Sequence, residues 1–226
     1  MTLIPSPAAT DAIVTDGVTR RFGSRWVLRG ASLTVAAGEV VGLLGANGSG
    51  KSTLLRILAT LLRSHGGRAL VGGRDTATAA DEVRSTVGFL AHAPGLYDDL
   101  SARENLMFAA AMLGREPDGP EGVDAQLDRV GLSASATARV RGFSAGMQRR
   151  LALARLLLAR PRVLLLDEPY SNLDTDGIAL MNGVLREVAA GGGAALVVLH
   201  ETAPAEGLLD RMVRIVDGRI VAQVPA

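Results

Sequence analysis

The chain has 226 residues, a length that fits one large α/β domain. Its formal net charge of +1 and its aromatic content of 3% argue against a nucleic-acid partner, which usually meets clustered basic and stacking residues. The absence of cysteine excludes disulfides and thiolate metal sites. No apolar run is long enough for a membrane-spanning helix, and the N-terminus MTLIPSPAATD lacks the pattern of a signal peptide, so we expect a cytoplasmic protein.

The first predicted elements are two antiparallel strands at residues 13–19 and 26–35, joined by a turn around Gly23. A short apolar strand at residues 39–44 follows and leads directly into a glycine-rich loop. Such a fully apolar strand is typical of a buried parallel sheet.

The glycine-rich loop carries Gly45-x-x-x-x-Gly50-Lys51-Ser52, a complete phosphate-binding motif between a strand and a helix. Glycines let backbone N–H groups turn toward phosphate oxygens, and the helix N-terminus adds a partial positive charge. Leucines at helical spacing predict that this helix continues until Gly66-Gly67 closes it. The residues predicted to bind the phosphates of ATP are Gly45, Asn47, Gly48, Ser49, Gly50, Lys51, Ser52 and Thr53. The Ser52 hydroxyl is also predicted to ligate Mg²⁺, and Lys51, the only lysine of the chain, to reach the β- and γ-phosphates.

After a strand at residues 87–90 the pattern changes to helices only. Ser101 and Glu104 form a capping box that opens a helix through about residue 112, and a second helix covers residues 123–130. We therefore predict a single domain with an inserted helical subdomain, divided as core at about 1–92 and 149–226 and insert at about 93–148.

Alternating α/β order then returns. The predicted elements are a helix at 145–158, a strand at 163–166, a helix at about 176–189, a strand at 194–199, and a hairpin of residues 212–216 and 219–224 around Asp217-Gly218. The fold class predicted from this order is α/β, with a P-loop NTPase (RecA-like) core, an N-terminal antiparallel β-subdomain and the helical insert.

The strand at residues 163–166 ends in two carboxylates, Asp167 and Glu168. A buried strand would deliver Asp167 to the edge of the phosphate site, where it can hold Mg²⁺. Glu168, one residue further, is placed to polarise the attacking water as a general base. An alternative is that both carboxylates only cap the following turn.

The segment Phe143-Ser144-Ala145-Gly146-Met147-Gln148 lies between these motifs in sequence and opens a helix. In this order the chain resembles the ATP-binding-cassette ATPases, whose signature is a Ser-x-Gly loop at this point. The resemblance implies that Ser144 and Gly146 bind the γ-phosphate of ATP held by a second ATPase subunit, in a head-to-tail dimer.

The resemblance assigns four further residues. Phe22 would stack on adenine, Asp174 would lie in the dimer-contact loop at the nucleotide, and His200 would be the switch histidine at the γ-phosphate. His92 stands where most relatives carry a glutamine that contributes to Mg²⁺ and water, so His92 is a candidate for the nucleotide and the metal.

The segments at residues 88–97 and 100–106 are similar to those of the ATP-binding subunit of haem exporters in cytochrome c maturation. The resemblance implies ATP hydrolysis coupled to export, a separate membrane-spanning subunit as partner, and a peripheral position on the inner face of the cell membrane. Contact through protein is expected, without direct lipid insertion. Alternatives are another exporter, for a drug, lipid or polysaccharide, a soluble cassette ATPase of DNA repair or translation, and a nucleotide-binding scaffold, which would lack a general base.

Overall fold

The computed structural model describes residues 11–225, and of residues 222–225 only the backbone. The expectation for the N-terminal segment therefore lies mostly outside the described residues. The strands are β1 (Asp11–Phe22), β2 (Arg25–Ala36), β3 (Val40–Leu44), β4 (Gly66–Val71), β5 (Arg74–Asp75), β6 (Val87–Leu90), β7 (Val163–Asp167), β8 (Ala194–Val198), β9 (Arg211–Val216) and β10 (Arg219–Pro225). The helices are α1 (Lys51–Leu58), α2 (Ala80–Arg84), α3 (Ala102–Met112), α4 (Val123–Arg129), α5 (Ala145–Leu158) and α6 (Thr175–Ala190).

The strands form two sheets. The larger has the order β10-β9-β3-β8-β7-β6 and is parallel except for β10. The smaller has the order β2-β1-β4-β5 and is antiparallel throughout. This arrangement confirms the predicted fold class, an α/β core with an antiparallel β-subdomain and a helical insert.

Three hydrophobic clusters hold these layers together. The first lies between the two sheets and surrounds α1, whose Leu54, Leu55, Ile57 and Leu58 are fully buried. The second covers the opposite face of the large sheet, beneath α5 and α6. Since a fully buried leucine or isoleucine contributes about 1.5–3 kcal/mol, the apolar face of α1 fixes the helix that starts at the phosphate loop.

The third cluster joins the inserted helices α3 and α4 to one face of α5. The capping box at α3 is formed as predicted, because the Ser101 hydroxyl accepts from Glu104 N–H at 3.2 Å and the Glu104 carboxylate accepts from Ser101 N–H at 2.7 Å. The subdomain boundary predicted at residue 148 falls inside α5, which is continuous. Leu151 packs in the third cluster and Leu153 in the second, so α5 ties the insert to the core.

The prediction that the helix after the phosphate loop continues until Gly66-Gly67 closes it was wrong. The helix after the phosphate loop ends at Leu58, and Thr60 adopts a left-handed conformation with φ +61°. Gly66 and Gly67 begin strand β4, which pairs with β1, and β5 and α2 were not predicted. At Gly67 a Cβ atom would lie 2.2 Å from the carbonyl oxygen of Gly17, so the pairing with β1 requires a glycine there.

The hairpin between β9 and β10 is formed as predicted. Asp217 and Gly218 both have positive φ, +47° and +75°, as a two-residue turn of the hairpin type requires. Among residues 11–225, no helix combines the length and the hydropathy needed to cross a membrane.

Candidate active site

The candidate site lies at the carboxyl edge of the large sheet, where four neighbouring strands end. In the order β3-β8-β7-β6 the four strand ends lead into the phosphate loop, His200, Asp167 with Glu168, and His92. Ligands of open parallel sheets bind at this edge. The sheet thus brings together residues that are up to 155 positions apart in sequence, from Gly45 to His200.

The phosphate loop (residues 45–53) has a backbone that only glycine can adopt at two positions. Gly50 is the N-cap of α1 with φ +112°, and a Cβ there would lie 2.7 Å from Leu28 Cδ2. A Cβ at Gly45 would lie 2.6 Å from the carbonyl oxygen of Ile215. The loop therefore packs tightly against the strands behind it and turns its backbone toward the front of the site.

Lys51 is the cation of this loop. Its side chain is almost fully buried, with 6% exposure, and its ammonium donates to the carbonyl oxygens of Gly45 at 2.6 Å and Ala46 at 3.1 Å. An ammonium has three donors, so a third remains for a phosphate oxygen. The side chain is held across the loop by the backbone itself.

A cavity of about 260 Å³ lies in front of the loop. Its lining contains Asn47, Gly48, Gly50, Lys51, Ser52, Thr53 and Glu168, together with Arg25 and Val27. Six of the eight predicted phosphate-binding residues and the predicted general base therefore face one space. Gly45 and Ser49 instead line the neighbouring cavity, and the Ser49 hydroxyl is buried with no hydrogen-bond partner among the described residues.

Asp167 is buried, and its Oδ1 atom has no hydrogen-bond partner within the described part of the chain. An unpaired carboxylate oxygen in the interior is costly unless a cation or a donor meets it. Mg²⁺ prefers oxygen ligands such as a carboxylate and a hydroxyl. The Asp167 carboxylate at the end of β7 and the Ser52 hydroxyl at the cavity are therefore of the ligand types that the predicted Mg²⁺ site needs.

Glu168 stands between two imidazole rings. Its Oε1 lies 2.6 Å from Nε2 of His200, and its Oε2 lies 3.3 Å from Nδ1 of His92. Its backbone is left-handed, with φ +54°, a conformation uncommon for a residue with a side chain. This turn directs the carboxylate out of the line of β7 and toward both histidines. His92 is thus a neighbour of the predicted general base.

The aromatic residue beside the phosphate loop is Trp26. Together with Arg25, Trp26 lines a cavity of about 350 Å³ on the side of the loop formed by Gly45–Ser49 and Arg214–Gly218. Phe22, the predicted adenine-stacking residue, lies at the tip of the same hairpin, half exposed, with the Arg20 guanidinium carbon 4.8 Å from its ring centroid. Phe22 is not part of the lining of either cavity around the loop.

Ser144, Gly146 and Asp174 lie on a different surface. They line a cavity of about 640 Å³ that shares no lining residue with the phosphate cavity. The Ser144 hydroxyl caps α5 by accepting from Met147 N–H at 3.2 Å. At Gly146 a Cβ would lie 2.8 Å from the Asn172 carbonyl oxygen, so a glycine lets the signature loop (residues 143–148) touch the loop after β7.

Arg149 was missed by the sequence analysis. Its guanidinium is buried in α5 and donates to backbone carbonyls of both the segment after β6 and the segment after β7. The helical spacing could have revealed it, because Arg149 lies three and four residues before the buried Ala152 and Leu153 and thus on their face of the helix.

Comparison with known proteins gives a consistent picture. A family model described as ABC transporter matches residues 28–171. The cytochrome c biogenesis ATP-binding export protein CcmA of Xanthomonas campestris is 45% identical over 181 residues, which cover 80% of this chain and 83% of that protein. The lipoprotein-releasing system ATP-binding protein LolD of Anaeromyxobacter dehalogenans is 40% identical over 97% of this chain and 96% of that protein. The daunorubicin resistance ATP-binding protein DrrA3 of Streptomyces coeruleorubidus is 38% identical over 95% of this chain and 68% of that protein.

Solved structures agree with the fold. An ATP-binding subunit of an ABC transporter superposes with a TM-score of 0.83 at 25% identity, covering 95% of this chain and 90% of that one. A bacterial Atm1-family ABC exporter with ATP bound gives 0.84 at 25% identity, covering 96% of this chain and 39% of that one.

The contribution of Asp174, in the loop after β7, to the stability of the fold can be tested by its dependence on pH. The N–H of Gly177 and then Arg150 hold the pKa of the Asp174 carboxyl below its usual range. A lowered pKa in the folded state contributes stability that is fully present above the unfolded pKa of about 4 and is lost as the pH falls through the folded pKa. Asparagine caps helices as well as aspartate, so Asp174→Asn removes mainly the charge. We expect the native chain to be more stable than this variant at pH 6 in urea unfolding, and the difference to shrink below pH 4.

The control is Asp176→Asn in the same helical turn, because the Asp176 carboxylate makes no hydrogen bond or ion pair within residues 11–225. Its effect on stability at pH 6 should be smaller than that of Asp174→Asn. If the stability difference between the native chain and Asp174→Asn stayed constant down to pH 3, the role of the Asp174 charge would be contradicted.

Proposed function

Because the chain belongs to the ABC transporter family and is an ATP-hydrolysing, ATP-binding subunit, we propose that it drives export as a head-to-tail dimer attached to a separate membrane-spanning subunit. The observation that carries the catalytic part is the position of Glu168, which faces Lys51 across one cavity and contacts His200. No direct lipid insertion and no nucleic acid partner are part of this proposal.

The catalytic roles follow from this geometry. The phosphate loop and Lys51 bind the β- and γ-phosphates of ATP, and Glu168 accepts a proton from the water that attacks the γ-phosphorus. His200, 2.6 Å from Glu168, fixes the base and contacts the γ-phosphate. A Mg²⁺ ion held by Asp167 and Ser52 would neutralise charge on the phosphate oxygens. His92 acts beside the base, 3.3 Å from its second oxygen, and this contact supports a place for His92 at the attacking water.

The dimer follows from an incomplete site. The chain holds its phosphate loop and its signature loop on cavities without a common lining residue. An exposed helix N-terminus with a serine hydroxyl and a glycine N–H suits an anion. In a twofold dimer, Ser144 and Gly146 of one subunit would complete the ATP site of the other, and each of the two sites would be composite. Asp174, in the same cavity, would lie at the dimer contact.

The membrane-spanning partner would dock in an apolar groove beside the helical insert. This docking groove, about 320 Å³ in volume, lies between the first three residues of β6, the segment at residues 95–97, α3 and α5. Tyr97 and Phe108 stack edge to face in it with ring centroids 5.2 Å apart, and Met112 is 73% exposed at its rim. An amphipathic helix from the partner suits such a groove. Leu96, between Gly95 and Tyr97, is not part of the lining and packs against the third hydrophobic cluster.

The cargo is proposed from resemblance. The identity of 45% to a cytochrome c biogenesis export protein and the segment around His92 support haem export for cytochrome c maturation. Export of another compound is supported by relatives that cover more of this chain, a daunorubicin resistance protein and a lipoprotein-releasing protein. A peripheral position on the inner face of the cell membrane follows from either proposal.

The catalytic proposal predicts different losses in two variants. Glu168→Gln should bind ATP and turn over about 10²- to 10⁴-fold more slowly, because only the proton acceptor is removed. Lys51→Ala should weaken ATP binding about 10- to 100-fold, because hydrogen bonds to charged groups contribute about 1.5–3 kcal/mol each. Steady-state ATPase rates and ATP titrations measure both effects.

Light scattering of the same variants measures whether the proposed dimer forms. Glu168→Gln with ATP should be dimeric, and Glu168→Gln combined with Ser144→Arg should bind ATP and remain monomeric. A dimer that survives Ser144→Arg would contradict the composite site. Rapid turnover by Glu168→Gln would contradict the general base.

The docking groove predicts a selective loss of coupling. Met112→Glu places a charge at its rim and should leave the ATPase activity of the isolated chain within about twofold, because surface changes away from special features cost little. Binding to membranes that contain the partner subunit should be lost in sedimentation, while protein-free lipid vesicles bind neither form. Leu61→Glu is the matched control, since Leu61 is an exposed apolar residue outside the groove. Sedimentation of native chain with pure vesicles would overturn docking through protein.

The cargo is tested in cells that lack this chain. Haem export predicts that c-type cytochromes, measured by haem staining, disappear in the deletion strain and return with the native chain. Complementation with Glu168→Gln should fail. Normal levels of c-type cytochromes in the deletion strain would exclude this cargo and favour the other exporters.

A further inference from the structure

The strongest feature outside the assigned residues is the buried guanidinium of Arg149. Its exposure is 3%, although it carries a full positive charge. Its Nη2 donates to the carbonyl oxygens of Asp167 at 2.8 Å and Glu168 at 2.5 Å, and its Nε donates to that of Pro169 at 3.2 Å. All three acceptors belong to the segment that carries the catalytic carboxylates.

The remaining two bonds reach a second segment. Nη1 donates to the carbonyl oxygen of Ala91 at 2.7 Å and to that of His92 at 3.4 Å. A guanidinium has five N–H groups in one plane, and five backbone carbonyls now accept from Arg149. Arg149 therefore connects α5 with the ends of both β6 and β7.

Arg149 makes no ion pair with a carboxylate of residues 11–225. Asp167 Oδ1 stays without a hydrogen bond in the described chain, and the Glu168 carboxylate faces the two histidines. Burial lowers the pKa of Arg149, while the charges of Asp167 and Glu168 oppose that change. The cation thus holds the backbone of the acidic segment and leaves both carboxylates to the site.

The backbone that Arg149 holds is strained. Glu168 is in the left-handed region with φ +54°, and such a residue persists only when its surroundings fix it. Arg149 binds the carbonyl oxygens of Glu168 itself and of the residues before and after it. Without these bonds the turn could relax, and the carboxylate would move away from His200.

Arg149 also lies close to the signature loop, which in the proposed dimer completes the ATP site of the second subunit. Ser144, the N-cap of α5, is five residues before Arg149, about 7.5 Å along the helix. A helix is stiff over this distance, so a displacement of the signature loop moves Arg149 as well. We propose that Arg149 is a positioning residue that couples the signature loop on α5 to the catalytic base Glu168 and to His92.

This inference rests on the proposed function, because it assumes the role of Glu168. Arg149 does not line the phosphate cavity, and it acts by fixing the orientation of the base. Loss of Arg149 should therefore lower kcat much more than it weakens ATP binding. A purely structural arginine would lower stability and leave the kcat of the folded, ATP-bound chain unchanged.

The test uses the full chain with Arg149→Lys and Arg149→Met. Lysine keeps the charge but cannot reach five carbonyls in one plane, and methionine keeps the stem alone. ATP binding is followed by the fluorescence of Trp26, the only tryptophan, which lies beside the phosphate loop. We expect a loss in kcat of at least 30-fold in both variants, with an ATP dissociation constant within threefold of the native value.

The matched control is Arg211→Lys. Arg211 is a half-buried arginine that donates to Glu39 and to the carbonyl oxygen of Thr34, away from the site. This variant should unfold at lower urea concentration and keep kcat within twofold. A kcat of Arg149→Lys within threefold of native would overturn the proposal, and so would failure of both Arg149 variants to fold.

Glu168→Gln, measured in parallel, separates the two possible failures. If Glu168→Gln turns over rapidly, the proposed function itself is wrong. If Glu168→Gln is inactive while Arg149→Lys keeps native kcat, only the positioning role of Arg149 is wrong.

Discussion

The register of four parallel strands is the constraint on which the site depends. Val198 of β8 lies opposite Leu43 of β3 on one side and opposite Asp167 of β7 on the other. On the far side of β7, Leu90 of β6 lies opposite Leu166. The strand ends are therefore level, and the loops that follow them open onto one space. A slip of one residue would turn the Asp167 side chain to the opposite face of the sheet.

A second regularity concerns the buried charges. Lys51 and Arg149 are both buried, and both are bonded to backbone carbonyls instead of to carboxylates. If Asp167 or Glu168 formed an ion pair with Lys51 or Arg149, its negative charge would be neutralised inside the protein. The backbone stabilises the cations here, so the Glu168 carboxylate faces the phosphate cavity and Asp167 Oδ1 stays without a hydrogen bond among residues 11–225.

The parts that sequence could predict are those fixed by neighbouring residues. The phosphate loop, the capping box at Ser101 and the hairpin at Asp217 each follow from a few adjacent side chains with special backbone demands. The parallel strands were recognisable because they are continuously apolar. The order of motifs along the chain was enough to place the carboxylates and the histidines at one edge.

The parts that sequence missed depend on distant contacts. Strand β4 has weak strand character of its own and is held by its pairing with β1 across some 50 residues. Arg149 and Arg150 are adjacent, and only the packing of α5 decides that one is buried against β7 while the other pairs with Asp174. Adjacent residues likewise do not decide which aromatic side chain of the first hairpin lies beside the phosphate loop, where Trp26 lines a cavity.

The single lysine has a consequence for how the protein can be modified. Of 24 basic residues only Lys51 carries a side-chain amine, and this amine is buried in the phosphate loop between the carbonyls of Gly45 and Ala46. Acetylation, methylation and ubiquitination all act on lysine amines. An enzyme that attaches such a group to a side chain of this protein has no surface lysine to use and must reach into the phosphate loop itself. Because its other basic side chains are arginines, the protein cannot be regulated by modification of an exposed lysine.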